Sequence, residues 1–298
     1  MTDFLQTAWN MMPSTFMITS PILIAATGGL VCEKSGVVNI ALEGLMVLGA
    51  MSAAVAVSHF GLPVPAALLA AAAVGGLFSL IHAFASITLR ADQVISGAGI
   101  NLLSLGLTVF ICQLLFNANR SPSHIGMSRG LFGLFPTIWI ALAILAVVAF
   151  VLYRRPWGLR LRAAGEHPQA LASAGVSVIR IRYIAVLISG LLAGLAGGSV
   201  VLTQDIQFTV TTINGTGFIA LAAVSFGRWL PLGILGSSFL FGVSMALAIN
   251  FVNIPALSEL LPSEVFSMMP YVITLATLIL FSGRDHAPRA IGKPFGKS

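Results

Sequence analysis

Charge is what this chain has least of. Asp, Glu, Lys and Arg make 8% of its residues, and only 9 residues are acidic. A soluble domain keeps roughly a quarter of its residues charged, so a water-facing surface over the whole chain is excluded. Cysteine is nearly as scarce: Cys32 and Cys112 cannot build a disulfide framework and read as small apolar packing residues. No G-x-x-x-x-G-K-[ST] loop is present to cradle phosphates. The histidines at 59, 82, 124, 167 and 286 are scattered, and no His/Cys/Asp/Glu cluster has metal-ligand spacing. No serine stands with His and acid partners as a catalytic nucleophile would. Neither a catalytic residue nor a bound cofactor is therefore expected in this chain. The N-terminus also lacks the basic run of a secretory signal.

What is there is apolar. Hydrophobic residues make 57% of the chain and its mean hydropathy is +0.99, which marks an integral membrane protein. Stretches near the length of about 20 residues that a helix needs to cross a bilayer lie at 14–32, 44–60, 64–89, 97–116, 136–153, 183–203, 215–227, 231–252 and 267–283. The expectation is an all-α polytopic transmembrane bundle of about 8–10 spans, one domain over residues 1–298. The seventh stretch is short and polar at its start, and the first two could form one broken hairpin.

The net charge of +6 does not point to nucleic acid. Of the 15 basic residues, 10 fall in just two segments, 154–182 and 284–297, whereas a phosphate-binding face needs a continuous basic surface. Clustering of this kind is what cytoplasmic loops show. With nine crossings, Lys34, Arg90, residues 154–182, Arg228 and the 284–297 tail share one side, and Asp3, Asp205, Glu259 and Glu264 the other. An N-out, C-in arrangement follows, with Arg120 and Arg129 as the basic minority outside.

Two segments depart from plain apolar helix. Residues 33–44, EKSGVVNIALEG, set three charges and two glycines between hydrophobic runs. Even lenient scales charge about 2.5–3.5 kcal/mol for an ionised group at the bilayer centre. This stretch must therefore lie at an interface, line a wet cavity or break a helix at depth. The 154–182 loop contains Pro168 and, seven residues on, Gly175; Pro suits a helix start and Gly the position just past its end. A helix of roughly two turns between Arg clusters is predicted, too short to stand alone in water. The SGLLAGLAGG stretch repeats glycine at 190, 194 and 198, one helix face open to close backbone approach.

The segments GGLVCEKSGVVNIALEGLMVLGA (28–50), ADQVISGAGINLL (91–103) and AAGEHPQALASAGV (163–176) resemble the membrane permeases of ABC importers of the branched-chain amino acid and simple sugar type. They are most similar to the nucleoside uptake subgroup. Ala41, where Gly is common, and Gly99 depart from the pattern without removing a polar group. The resemblance implies an importer with a dimeric membrane core in the bacterial inner membrane, ATPase subunits that bind ATP and Mg, an external substrate-binding lipoprotein and, in nucleoside systems, a second, different permease. It further implies that Glu166, His167, Pro168, Gln169, Ala170, Ala174 and Gly175 form the element that docks on the ATPase.

Polar groups beside apolar spans are the candidate substrate pathway. Asn39 and Glu43 lie four apart, as do Asn214 and Phe218, and Ser96 and Asn101 open the fourth span. A spacing of four puts a pair on one face if the stretch is helical. Asn and Ser offer donors and acceptors to a base or sugar, and Phe218 a stacking surface. The alternative for each is a hydrogen bond to a neighbouring helix. Glu43 stands out because packing alone seldom justifies a carboxylate at depth. Nucleosides are the expected cargo, followed by simple sugars and branched-chain amino acids. An ion-coupled secondary transporter would need its own coupling acids and commonly has paired inverted repeats; Glu43 is the one intramembrane acid, and no clear repeat is found.

Overall fold

The computed structural model describes residues 2–124, 126–252 and 287–296, with scattered positions between 265 and 279. For residues 2–10, 251 and 252 only the backbone is described. Most of the expected ninth span, 267–283, lies outside the described residues, as do Glu259 and Glu264. Among the described residues ten α-helices follow in order: α1 (Thr2–Lys34), α2 (Leu42–Ser58), α3 (Val64–Ala83), α4 (Gln93–Phe116), α5 (Pro136–Arg154), α6 (Pro156–Glu166), α7 (Pro168–Ser173), α8 (Val178–Thr203), α9 (Thr216–Phe226) and α10 (Pro231–Val252). Among the described residues there is no sheet, only one isolated bridge between Arg120 and Thr209.

Among the described residues six helical segments are long and apolar enough to cross a membrane: Met11–Lys34, Val64–Thr88, Gln93–Phe116, Pro136–Arg154, Val178–Thr203 and Pro231–Asn250. The protein is a multi-pass membrane protein. The second and seventh expected spans are instead the shorter apolar helices α2 and α9, of 17 and 11 residues. At 1.5 Å per residue α9 reaches only about 16 Å, half a bilayer core. The expected broken hairpin is thus a complete α1 followed by a shorter α2.

α1 and α8 form the centre. α8 packs against α1, α2 and α3, and α1 also touches α5, α9 and α10. The predicted glycine face of α8 makes this possible. A Cβ on Gly49 in α2 would lie 2.6 Å from Gly194 Cα, and one on Gly194 would lie 3.0 Å from Gly75 Cα in α3, so three backbones meet at one residue. α4, by contrast, turns Leu102, Leu103, Phe110 and Leu114 outward, an apolar surface suited to lipid or another membrane helix.

The basic segments gather on one face. Lys34 O lies against Gly165, Arg90 bonds Gly296, and Trp229 beside Arg228 bonds Glu33 at the end of α1. The opposite face is closed where Ser121, His124 and Met127 bond to the chain at 202–208, with Ser121 N–H donating to Phe208 O at 3.0 Å and His124 N–H to Ile206 O at 2.9 Å. Asp205 is on this second face. Burial raises its pKa, opposed by a Thr212 hydrogen bond and by His124.

Replacing Gly194 by Leu is expected to force α8 from both neighbours. Overpacking of a tight core costs about 1–3 kcal/mol, so the detergent-solubilised variant is expected to unfold at a clearly lower temperature than the native protein. Unchanged thermal stability would show that the three-helix contact is unimportant.

Candidate functional site

Between α1 and α2, residues 35–41 leave the helix. The break is not at the surface: Gly44 packs against Asn101, which lies eight residues into α4, about 12 Å at helical rise. Backbone N–H and C=O groups there lack water, and each left bare costs several kcal/mol. Side chains from two helices, α3 and α4, satisfy them. Gln93 Oε1 accepts from Val38 N–H at 2.8 Å, and His82 Nε2 meets Val38 O at 3.0 Å. Asn101 spans the break, its Nδ2 donating to Ile40 O at 3.0 Å and its Oδ1 accepting from Gly44 N–H at 2.8 Å.

The clamp is itself held. A carbonyl can only accept, so Nε2 of a neutral His82 carries the proton and Nδ1 accepts from the Ser96 hydroxyl 3.0 Å away. Asn39, fully buried, donates from Nδ2 to Ser189 Oγ of α8 at 2.8 Å. Asp92 caps α4 by accepting from Val94 and Ile95 N–H at 2.8 and 3.0 Å. The two motifs 33–44 and 91–103 are therefore two halves of one device. The first breaks the helix, and the second supplies Gln93, Ser96 and Asn101 to satisfy the broken backbone.

Glu43 ties the break to α9. Its Oε1 accepts from Gly215 N–H and its Oε2 from Gly217 N–H, both at 2.7 Å. The first N–H groups of a helix have no internal partner, and the helix dipole makes that end positive. Glu43 also lies in the first turn of α2, so a single carboxylate serves two helix starts that face each other. An anion at a partly buried helix start is stabilised by up to roughly 2 kcal/mol.

The sequence candidates thus separate into two groups. Asn39, Glu43, Ser96 and Asn101 make up the frame just described. Asn214 and Phe218 are exposed at the start of α9, Phe218 by 48%. Two spacing arguments do not survive. Residues 35–41 are not helical, so Asn39 and Glu43 share no helical face. Asn214 precedes α9 in left-handed backbone (φ 40°), so it is not one turn before Phe218. Sequence reasoning missed His82, Gln93 and Ser189; a lone histidine inside an apolar span was the available signal for the first.

On the basic face, the predicted short helix is present as α7, and Gly175 follows it in left-handed backbone (φ +77°). α6, an eleven-residue helix over Pro156–Glu166, was not foreseen; it supports α7 and packs on α1, α5 and α8. Leu171 is the buried anchor of α7, while His167, Gln169 and Ala170 are exposed.

Glu43→Gln keeps one acceptor and turns the other atom into a donor facing an N–H. An unsatisfied buried donor costs about 1–3 kcal/mol, so the variant is expected to insert, lose stability of that order and exchange the Gly215 and Gly217 amide hydrogens faster. Native exchange at both amides would remove Glu43 from this role.

Residues 11–278 match the family model described as the branched-chain amino acid transport system / permease component. The guanosine ABC transporter permease protein NupQ of Bacillus subtilis (strain 168) is 40% identical, covering 99% of each chain. The nucleoside ABC transporter permease protein NupC of Lactococcus lactis subsp. cremoris (strain MG1363) is 36% identical, covering 94% of each. A second Bacillus subtilis protein, the guanosine ABC transporter permease protein NupP, is 28% identical over 91% of this chain and 80% of its own length. With the family model matched over residues 11–278 and NupQ and NupC similar over nearly their full length, the chain is a member of the branched-chain amino acid transport system permease family.

Proposed function

We propose that this protein is one of two permeases in an ATP-driven importer carrying nucleosides, or related purines and pyrimidines, across the bacterial inner membrane. The observation that carries the reading is the 40% identity to a guanosine permease over 99% of both chains. Residue chemistry supports it. The positive start of α9, the natural place for an anionic ligand at depth, is already taken by Glu43. A cargo with a carboxylate or phosphate finds no such partner there, whereas a neutral nucleoside needs only amides, hydroxyls and an aromatic surface. Asn214 and Phe218 are offered to it, and Asn39, Glu43, Ser96 and Asn101 hold the frame around them.

The absence of a phosphate loop leaves ATP and Mg to partner ATPase subunits. Glu166, His167, Pro168, Gln169, Ala170, Ala174 and Gly175 form their docking element, on the basic face, which is the cytoplasmic one under the positive-inside rule. A heterodimeric core is supported by two different guanosine permeases of one organism resembling this chain, the less similar being longer than the region it shares. An external binding lipoprotein delivers the cargo, and lipid surrounds the outward face of α4.

Two measurements test the reading. In proteoliposomes holding the complete importer, labelled guanosine uptake is expected to require ATP, to compete with unlabelled nucleosides and to ignore leucine and glucose. Leucine uptake insensitive to excess nucleoside would overturn the cargo assignment. A Cβ at Gly175 would meet no atom within 4 Å, so the main penalty of Gly175→Val is the left-handed backbone, about 1–2 kcal/mol. The variant is expected to insert normally while uptake per ATP hydrolysed falls; native coupling would count against the docking role.

A further inference from the structure

The tail at 287–296 has no helix, yet four hydrogen bonds hold it to four separate parts of the molecule. Ala290 N–H donates to Gly165 O at 2.8 Å, at the end of α6, and Gly292 N–H to Gly36 O at 3.1 Å, in the break after α1. Arg182, in α8, donates from Nη1 to Lys293 O at 3.0 Å, and Arg90, between α3 and α4, from Nη1 to Gly296 O at 3.0 Å. Ala290 itself is buried.

Arg182 is the unusual member. Its side chain is 1% exposed, and besides Lys293 O it reaches Ser35 O from Nε at 3.2 Å. Among the described residues it pairs with no carboxylate. A buried cation without a counter-charge is costly, so packing gives no reason to keep one. A planar fork of five donors joining two chain segments does: Arg182 welds the break at Ser35 to the tail at Lys293.

These contacts lie between two regions described above. Gly165 is three residues before α7 begins, with Lys34 O against it. Gly36 is seven residues before Glu43, whose carboxylate holds the start of α9. We propose that the tail is a strap: it binds the α6–α7 hairpin to the break after α1, so that movement of α7 is delivered to residues 37–44 and on to α9. The strap works through backbone groups, so the side chains of Arg289 and Lys293 remain free to face the groove of about 420 Å³ between the tail and the start of α7. The proposal rests on the reading that α7 docks the ATPase.

The test uses the complete importer, reconstituted with its binding protein, and two variants. Gly292→Pro removes the N–H bonded to Gly36 and forbids the observed φ of +73°. Arg182→Lys keeps the charge and loses the fork. Both are expected to retain bound ATPase and hydrolyse ATP, with uptake per ATP lowered roughly two- to thirtyfold, the range of coupling losses seen along such networks. Amide exchange at 34–41 and 163–167 is expected to quicken in both. Unchanged exchange overturns the strap, and native uptake per ATP despite faster exchange overturns its role in coupling. Loss of the ATPase from Gly292→Pro would make the tail a docking contact and also overturn the proposal. Should Arg182→Lys fail to fold, Gly292→Pro carries both readouts alone. Failure of the docking reading is distinct: the native protein would then hold no ATPase, while the exchange comparison still reports on the strap.

Discussion

Backbone that leaves the helix inside a membrane has to find hydrogen-bond partners in protein, and that requirement organises this molecule. Two helices, α2 and α9, begin at depth, and the chain between α1 and α2 is not helical at all. Leaving even Val38, Ile40 and Gly44 bare would cost several kcal/mol per group, comparable to the whole stability of many domains. The polar residues of an otherwise apolar chain go where this debt arises. Gln93, His82 and Asn101 meet the break, and Glu43 meets α9.

The same economy shapes the proposed path. Because Glu43 neutralises the start of α9, the exposed Asn214 and Phe218 stand beside a helix end whose positive field is already satisfied. A neutral cargo is suited to such a place, and an anionic one is not. Under the proposed function the frame residues are positioning groups, and a substitution among them is expected to act on transport by moving α9.

The basic face has a different logic. α6 and α7 are short helices, held by Leu171, by α8 and by the tail. Arg182 sits where α8, the break after α1 and the tail meet, using one guanidinium in place of several weaker contacts. The central glycines of α8 complete the path: they let α2 and α3 approach closely enough that a shift at one end of the bundle cannot be absorbed by loose packing.

Composition and hydropathy by themselves determined that the chain is a multi-pass helical membrane protein. Spacing alone found α7 with its terminal Gly175 and the close-packing face of α8, because those features follow from local helix geometry. Residues 33–44 were marked as exceptional because charge in an apolar chain demands a partner. Which partner only the tertiary structure decided. Asn101 is 57 residues from Gly44, and Glu43 is 172 from Gly215, distances over which a sequence holds no geometric information. The spacing of four misled at Asn39 and Asn214 for the same reason: it presumes a helix, and tertiary hydrogen bonds had removed the helix there. The tail was equally silent, since a strap that works through carbonyls and N–H groups leaves no mark in its side chains.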